Sequence, residues 1–383
     1  MATAYVPELE SLRGIAMLLV LVFHLDAQIR APFLDHDSRI VAPALAFVRA
    51  GHSGVDLFFV LSAFLLSLPF LRQAAGGTRV SARRYFERRA LRILPLYYVA
   101  VVAATVLSAN VPGELWRGLP YLLFLNAFPG VATHLPPYSN VWWSLATEAQ
   151  FYLLLPLLPF ALASRRGRVW GAAVLVIWAG AYAGFLTRRV GAETIPGEIA
   201  LGLSVFGRAP VFLSGIAAAW LYLRYGSAVR ARLSGLAALR NGGADAVLLI
   251  VVVAQAYLLR WVALIGPQDD MNPPYHAWHI VTALLWATLL LLLLVAPLRL
   301  KPFVSKPALS RLGVLSYSMY VWHVPLFMFG VGVLARIRPF PFGWNAATAV
   351  VAAVLCLLCT GLSELTYRVI ERPFLVRKQR LQA

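Results

Sequence analysis

Glu10-Ser11-Leu12-Arg13-Gly14-Ile15-Ala16-Met17-Leu18-Leu19-Val20-Leu21-Val22-Phe23-His24-Leu25-Asp26 is the stretch that decides the fold. From Ile15 to Leu25 only His24 is polar. A bilayer core is crossed by about 20 mostly apolar residues, so the run reads as a membrane span. Asp26-Ala27-Gln28 behind it is a poor cleavage site, which argues for a retained first helix rather than a removed leader. Two ionisable side chains interrupt the helix. Arg13 and His24 are 11 residues apart. At 100° per residue this is about 20° past three full turns, so both lie on one face, about 16 Å apart along the axis.

The pattern repeats along the chain. Nine further spans are expected, giving ten in all, roughly at 10–26, 47–71, 89–109, 142–163, 169–187, 204–224, 244–262, 277–297, 312–335 and 345–368. Leu119 to Phe128, bracketed by Pro120 and Pro129, is too short to cross and is expected to be re-entrant or interfacial. Composition agrees: 60% of residues are hydrophobic and 13% charged, against about half and a quarter in a soluble domain. The expected fold class is an all-α polytopic membrane bundle, one domain over residues 1–383 with no appended soluble domain.

Net charge is +18. The cations fall between apolar spans, which points to membrane topology rather than to nucleic acid. With the N-terminus in the cytoplasm, the inner segments carry Arg72 to Arg92, Arg165-Arg166-Gly167-Arg168, Arg224 to Arg240, Arg299 to Arg311 and the tail from Arg368. The outer segments carry Asp35, Asp37, Glu193, Glu198, Asp269 and Asp270 instead. Both termini are therefore expected in the cytoplasm. An eleventh span at 119–128 would place the arginine-rich loops outside.

Ionisable groups at membrane depth are costly, so each is a candidate functional residue. His24 suits a general base and Arg13, at the inner mouth, an anionic donor. Asp56 lies in the second span, where Gly54, Phe58 and Ser62 recur every four residues on a stripe suited to close helix packing. Arg88, Arg89 and Arg92 are phosphate candidates, because guanidinium forks match phosphate oxygens. Glu148 stands about a turn and a half inside the fourth span. It could orient His24, act as a base or pair with an arginine. Arg208 is either a phosphate contact or the partner of an intramembrane acid. Ser316, Tyr320 and His323 share one helical face, and His323 is either structural or part of the site. Ser144, Tyr152 and Tyr320 are candidate oxyanion donors. His276 and His279 sit beside Trp278 at a span end, where interfacial placement explains them. Cys356 and Cys359 are one turn apart in an apolar run and are expected to be packing residues. No metal site is expected, since the histidines are scattered over different spans.

In order, these pieces form a recognisable series: Glu10-Ser11-Leu12-Arg13-Gly14 with His24, Gly54-x-x-x-Phe58-x-x-x-Ser62, Arg88-Arg89-x-x-Arg92-Ile93-x-Pro95-x-Tyr97, Trp143-Ser144-Leu145-x-x-Glu148-x-Gln150-Phe151-Tyr152, Arg208 before Phe212, and Leu315-Ser316-Tyr317-Ser318-x-Tyr320-x-Trp322-His323. The series resembles the acyltransferase-3 family of membrane acyltransferases from about residue 5 to 375. Two positions depart from its pattern. Ala63 stands where glycine is usual, which puts close helix approach there in doubt. Ala149 stands where an acid is usual, which leaves the carboxylate role to Glu148.

The resemblance implies acyl-CoA, first of all acetyl-CoA, as co-substrate and a carbohydrate or glycoconjugate hydroxyl as acceptor, in a bacterial inner membrane among its lipids. The mechanism expected from these residues is direct transfer with His24 as base, held by Glu148 first or Asp56 second, with a covalent acyl-histidine route as the less favoured alternative. Arg13, Arg88, Arg89 and Arg92 would meet the CoA phosphates. The alternative is a transporter or flippase for a glycan or lipid-linked sugar, against which no inverted repeat is evident.

Overall fold

The computed structural model describes residues 7–29, 47–108, 112–128, 139, 141–187, 201–265, 276–336 and 345–380. The outer segments holding Asp35, Asp37, Glu193, Glu198, Asp269 and Asp270 lie outside the described residues. Helices dominate, and no strand occurs among the described residues. Among the described residues ten helical stretches are long and apolar enough to cross a membrane, as the sequence predicts.

We label the long helices α1 (Pro7–Ile29), α2 (Gly54–Ala74), α3 (Ala82–Ser108), α4 (Trp143–Leu154), α5 (Arg165–Leu186), α6 (Val205–Gly235), α7 (Ala244–Ile265), α8 (Trp278–Val295), α9 (Pro307–Ala335) and α10 (Ala346–Thr366). A tenth-span continuation, Arg372–Arg380, is α11. The fourth span continues past α4 through a tight turn, Leu155–Leu157, into Leu158–Ala163, where Pro156 and Pro159 interrupt the regular ladder. The segment 119–128 does not cross. It holds only the short helix Leu119–Leu122, and Phe124 then adopts φ 56° to turn the chain back.

Helix ends are set locally. Ser164 caps α5 by accepting from the Gly167 N–H at 2.9 Å. Asn345 and Thr348 form a reciprocal capping box that starts α10. Gly242, at φ 110°, reverses the chain between α6 and α7.

The centre of the bundle is α1, α2, α6, α8 and α9. α1 packs along α9, and α2 along both α1 and α6. Glycines permit these approaches. A Cβ at Gly313 of α9 would collide with the Glu10 carbonyl oxygen of α1, and one at Gly54 of α2 with that of Ala16. Close approach also occurs beside Ala63, where the missing glycine made it doubtful. There α6 supplies the space: a Cβ at Gly215 would lie 2.7 Å from the Ala63 Cβ. The departure is compensated on the facing helix. α5, α7 and α10 turn apolar side chains outward, with Ile177 and Leu357 each 72% exposed. Such surface is stable against lipid and not against water.

The arginine-rich connectors gather at one end and are tied together there. Asp245 accepts from the Arg299 and Leu300 N–H groups at 3.2 and 2.9 Å. Arg299 Nε donates to the Arg240 carbonyl at 2.9 Å. Lys301 pairs with Glu8 at 2.8 Å. Glu364, read in the sequence as part of the last span, pairs at this end with Arg311 and Arg368, each at 2.5 Å.

Candidate active site

A cavity of about 100 Å³ opens between α1, α2, α3, α4 and α9. Nine polar residues singled out from the sequence line it: Arg13, Ser62, Arg89, Arg92, Ser144, Glu148, Tyr152, Ser316 and Tyr320. Phe58, Leu65, Leu66 and Ile93 complete an apolar wall.

The helices that carry these groups are locked by the other residues of the same motifs. In α4, Thr147 Oγ1 donates to the Leu203 carbonyl at 2.6 Å, and Gln150 Oε1 accepts from the Val205 N–H at 2.9 Å. This face fastens α4 to the start of α6. The opposite positions, Glu148 and Tyr152, sit four residues apart and face the cavity. Ser62 Oγ donates a short hydrogen bond to Glu148 Oε1. Ser144 and Tyr320 are hydroxyl partners at 2.6 Å, and each also approaches the Val141 carbonyl at 3.0 Å. Two protons serve this triangle, one between the hydroxyls and one to the carbonyl. Neither is free to meet an oxyanion without exchanging a partner.

Three guanidinium groups converge on the cavity. Arg13 pairs with Glu10 at 3.3 Å. Arg92 pairs at 3.1 Å with Glu371, which is 2% exposed, and lies 5.5 Å above the Tyr317 ring. Glu371 also accepts a short hydrogen bond from Ser318. Arg89 lies 6.0 Å from the Tyr152 ring, and its buried Nε has no hydrogen-bond partner among the described residues. Arg88, expected with them, does not line the cavity. On a helix Arg92 projects between Arg88 and Arg89, which are 100° apart, and the cavity lies on the Arg89 side. Lys378 of α11, absent from the sequence reading, lies within electrostatic reach of Arg13, Arg88, Arg89 and Arg92. α11 packs against α3, which brings this cation near those arginines.

Asp56 and Arg208 belong elsewhere. Asp56 Oδ2 accepts from His279 Nδ1 at 2.7 Å, and Asp56 Oδ1 is 3.6 Å from Arg208. Arg208 also contacts His279 closely and lies 5.2 Å from the Trp143 ring. Of the two readings of Arg208, the intramembrane pair is the one realised. Neither Asp56 nor Arg208 lines the cavity, so neither the carboxylate role for Asp56 nor the phosphate contact for Arg208 has a geometry here. The interfacial reading of His279 is also corrected: the residue is 1% exposed and joins α8 to α2 and α6. The unmet need of two buried charges was the signal that could have found it.

His24 has a different partner from those expected. Neither Glu148 nor Asp56 bonds it. Its Nδ1 lies 2.9 Å from the Val20 carbonyl and 3.3 Å from His323 Nε2. The two rings meet edge to face, with centroids 4.9 Å apart. Glu148 shares the cavity with Arg13, whereas His24 is three turns farther along α1, out of reach. His323 joins the cavity wall to this pair, since its Nδ1 is 2.9 Å from the carbonyl of Tyr320. Among the described residues no cluster of three or more His, Cys, Asp or Glu could hold a metal.

The structure thus defines a multi-pass membrane bundle with an arginine-lined cavity below a paired histidine. The chain belongs to the acyltransferase-3 family: the family's acyltransferase domain matches residues 6–364. It is similar to OatA of Listeria monocytogenes serovar 1/2a (strain ATCC BAA-679 / EGD-e), named as a peptidoglycan O-acetyltransferase. Identity is 25% over 388 residues, covering 96% of this chain and 56% of that protein. It is also similar to YrhL of Bacillus subtilis (strain 168), at 23% identity over 391 residues, covering 96% of this chain and 55% of that one. The chain spans about half the length of these curated relatives. No solved structure matches it.

Proposed function

We propose that this chain is a membrane O-acyltransferase that moves an acyl group, acetyl first, from acyl-CoA to a carbohydrate hydroxyl. The family and the name of the Listeria relative support the reaction class, and that name makes a peptidoglycan-type sugar the first acceptor to try. One observation carries the donor: Arg13, Arg89 and Arg92 meet in one cavity, within electrostatic reach of Lys378. Charge-assisted bonds from such groups suit the phosphates of CoA. Excess cations at this end of the bundle support placing it, with both termini, in the cytoplasm of a bacterial cell.

In this reading the CoA head docks among the arginines. Its pantetheine arm runs along the apolar wall of Phe58 and Val55 toward His24. His24 takes the proton of the acceptor hydroxyl, and the oxygen attacks the thioester carbon. Glu148, held by Ser62, faces the donor channel rather than the base and tunes its charge. Acyl-labelled CoA supplied to inside-out vesicles tests the proposal. Label should enter an ester in the wild type and not in His24→Ala at matched expression. CoA that is neither bound nor consumed would remove the donor and bring transport back to the lead.

A further inference from the structure

We infer that His323 is the positioning residue of the His24 base: it fixes His24 as the Nδ1–H tautomer, leaves Nε2 as the basic nitrogen, and shares the positive charge formed during transfer. This rests on the transferase reading above.

The argument is one of donors and acceptors. His323 Nδ1 lies 3.0 Å from the Met319 carbonyl and 2.9 Å from the Tyr320 carbonyl. A carbonyl only accepts, so His323 Nδ1 carries a proton. In a neutral ring its Nε2 is then a lone pair. That lone pair faces His24 Nδ1 at 3.3 Å. His24 Nδ1 in turn faces the Val20 carbonyl at 2.9 Å, a second acceptor. Both neighbours demand a proton on His24 Nδ1. The basic lone pair of His24 is thereby assigned to Nε2, which has no hydrogen-bond partner among the described residues. The Val20 carbonyl directly, and two backbone carbonyls through the ring of His323, thus set the same tautomer of His24.

The same contact serves the reaction. The acceptor O–H bond breaks and its proton goes to His24 Nε2. The oxygen–carbon bond forms, the carbon–sulfur bond breaks, and the departing thiolate takes the proton from His24 Nε2. Between those events His24 is an imidazolium. Its Nδ1–H then donates to His323 Nε2 with charge assistance. An unshared cation at this depth is costly. His323 gains no proton over the cycle. His323 is fully enclosed, 0% exposed, so water does not substitute for it. The other ionisable groups nearby are His52 in the turn before α2 and Tyr320 on α9, and Asp26 follows His24 by two residues on α1. Among the described residues no hydrogen bond joins the His52 or Tyr320 side chain to either ring, and Asp56, His279 and Arg208 are bonded to one another.

His323→Phe and His323→Gln in the full chain test this. The glutamine amide oxygen can accept from His24 Nδ1–H, and phenylalanine cannot. With folding checked by thermal melting, His323→Phe should lose roughly 10²-fold in kcat, the scale of an impaired general base. The KM for acyl-CoA should stay put, and the acid limb of the pH profile should be displaced. His323→Gln should recover at least about tenfold of the loss. Independently of activity, ¹⁵N NMR of the wild type in bilayers should show His24 protonated at Nδ1. A folded His323→Phe within about threefold of wild type, a glutamine variant no better than phenylalanine, or His24 protonated at Nε2 would each overturn the inference. His24→Ala separates the levels. If it is inactive while His323→Phe is not, only this inference falls. If it transfers normally, the base assignment falls as well.

Discussion

Gly215→Ala is the perturbation that best tests how packing holds this bundle. The new Cβ would lie 2.5 Å from the Val60 carbonyl oxygen and 2.7 Å from the Ala63 Cβ. Carbon atoms rest at about 3.5–4.0 Å, so α2 and α6 must part by roughly 1 Å. Neither neighbour can swing away, because one is backbone and the other a Cβ. Overpacking of this kind costs about 1–3 kcal/mol. Helix propensity returns up to about 1 kcal/mol of it for glycine to alanine. The separation also pulls Arg208 from Asp56 across the same interface, where the gap is already 3.6 Å. Thermal unfolding in detergent reads the effect. Gly361→Ala, where nothing lies within 4 Å, is the control and should hold or raise the melting temperature. Adding Ala63→Gly to Gly215→Ala should restore part of the loss, since it removes the 2.7 Å contact and leaves the 2.5 Å one. A Gly215→Ala protein as stable as Gly361→Ala, or no recovery in the double variant, would refute the packing argument.

Other outcomes follow from the polar groups. Arg89→Gln should raise the KM for acyl-CoA by roughly ten-fold or more, because a hydrogen bond to a charged group contributes about 1.5–3 kcal/mol. Its melting temperature without ligand should be unchanged, as Arg89 has no ion pair to lose among the described residues. Asp56→Asn should lower stability by about 3–5 kcal/mol, because Arg208 then keeps a buried charge without its counterion. Activity per folded molecule should be retained, and a specific activity loss at full folding would instead return Asp56 to the reaction.

The span count was legible because a bilayer imposes one length on every crossing helix, and segment 119–128 failed it plainly. The cavity was legible for a related reason. Polar residues at membrane depth have few places to go, and nine of those singled out line one cavity. Partner choice was not legible. Helical periodicity places His24 and Arg13 on one stripe but says nothing of what faces them. Of the roles open to Glu148, orienting His24 is not the geometry found: Glu148 shares the cavity with Arg13, three turns of α1 from His24. His279 was hidden by its neighbour Trp278, a residue that reads as interfacial wherever it occurs near a span end. Ala63 misled for the opposite reason: the small residue needed at that crossing is Gly215, on another helix. The pairing of Glu371 with Arg92, and Lys378 altogether, escaped because the last helix continues past the apolar run through the turn Tyr367–Glu371.

The central claim is that the arginine-lined cavity receives acyl-CoA for transfer through His24. The most direct measurement is acyl-CoA binding to the purified chain, followed by release of the free CoA thiol when a sugar acceptor is added. Binding that Arg13→Gln and Arg89→Gln weaken, with thiol release that His24→Ala abolishes while binding persists, is the predicted result. Binding indifferent to both arginines, or thiol release undiminished in His24→Ala, would contradict it.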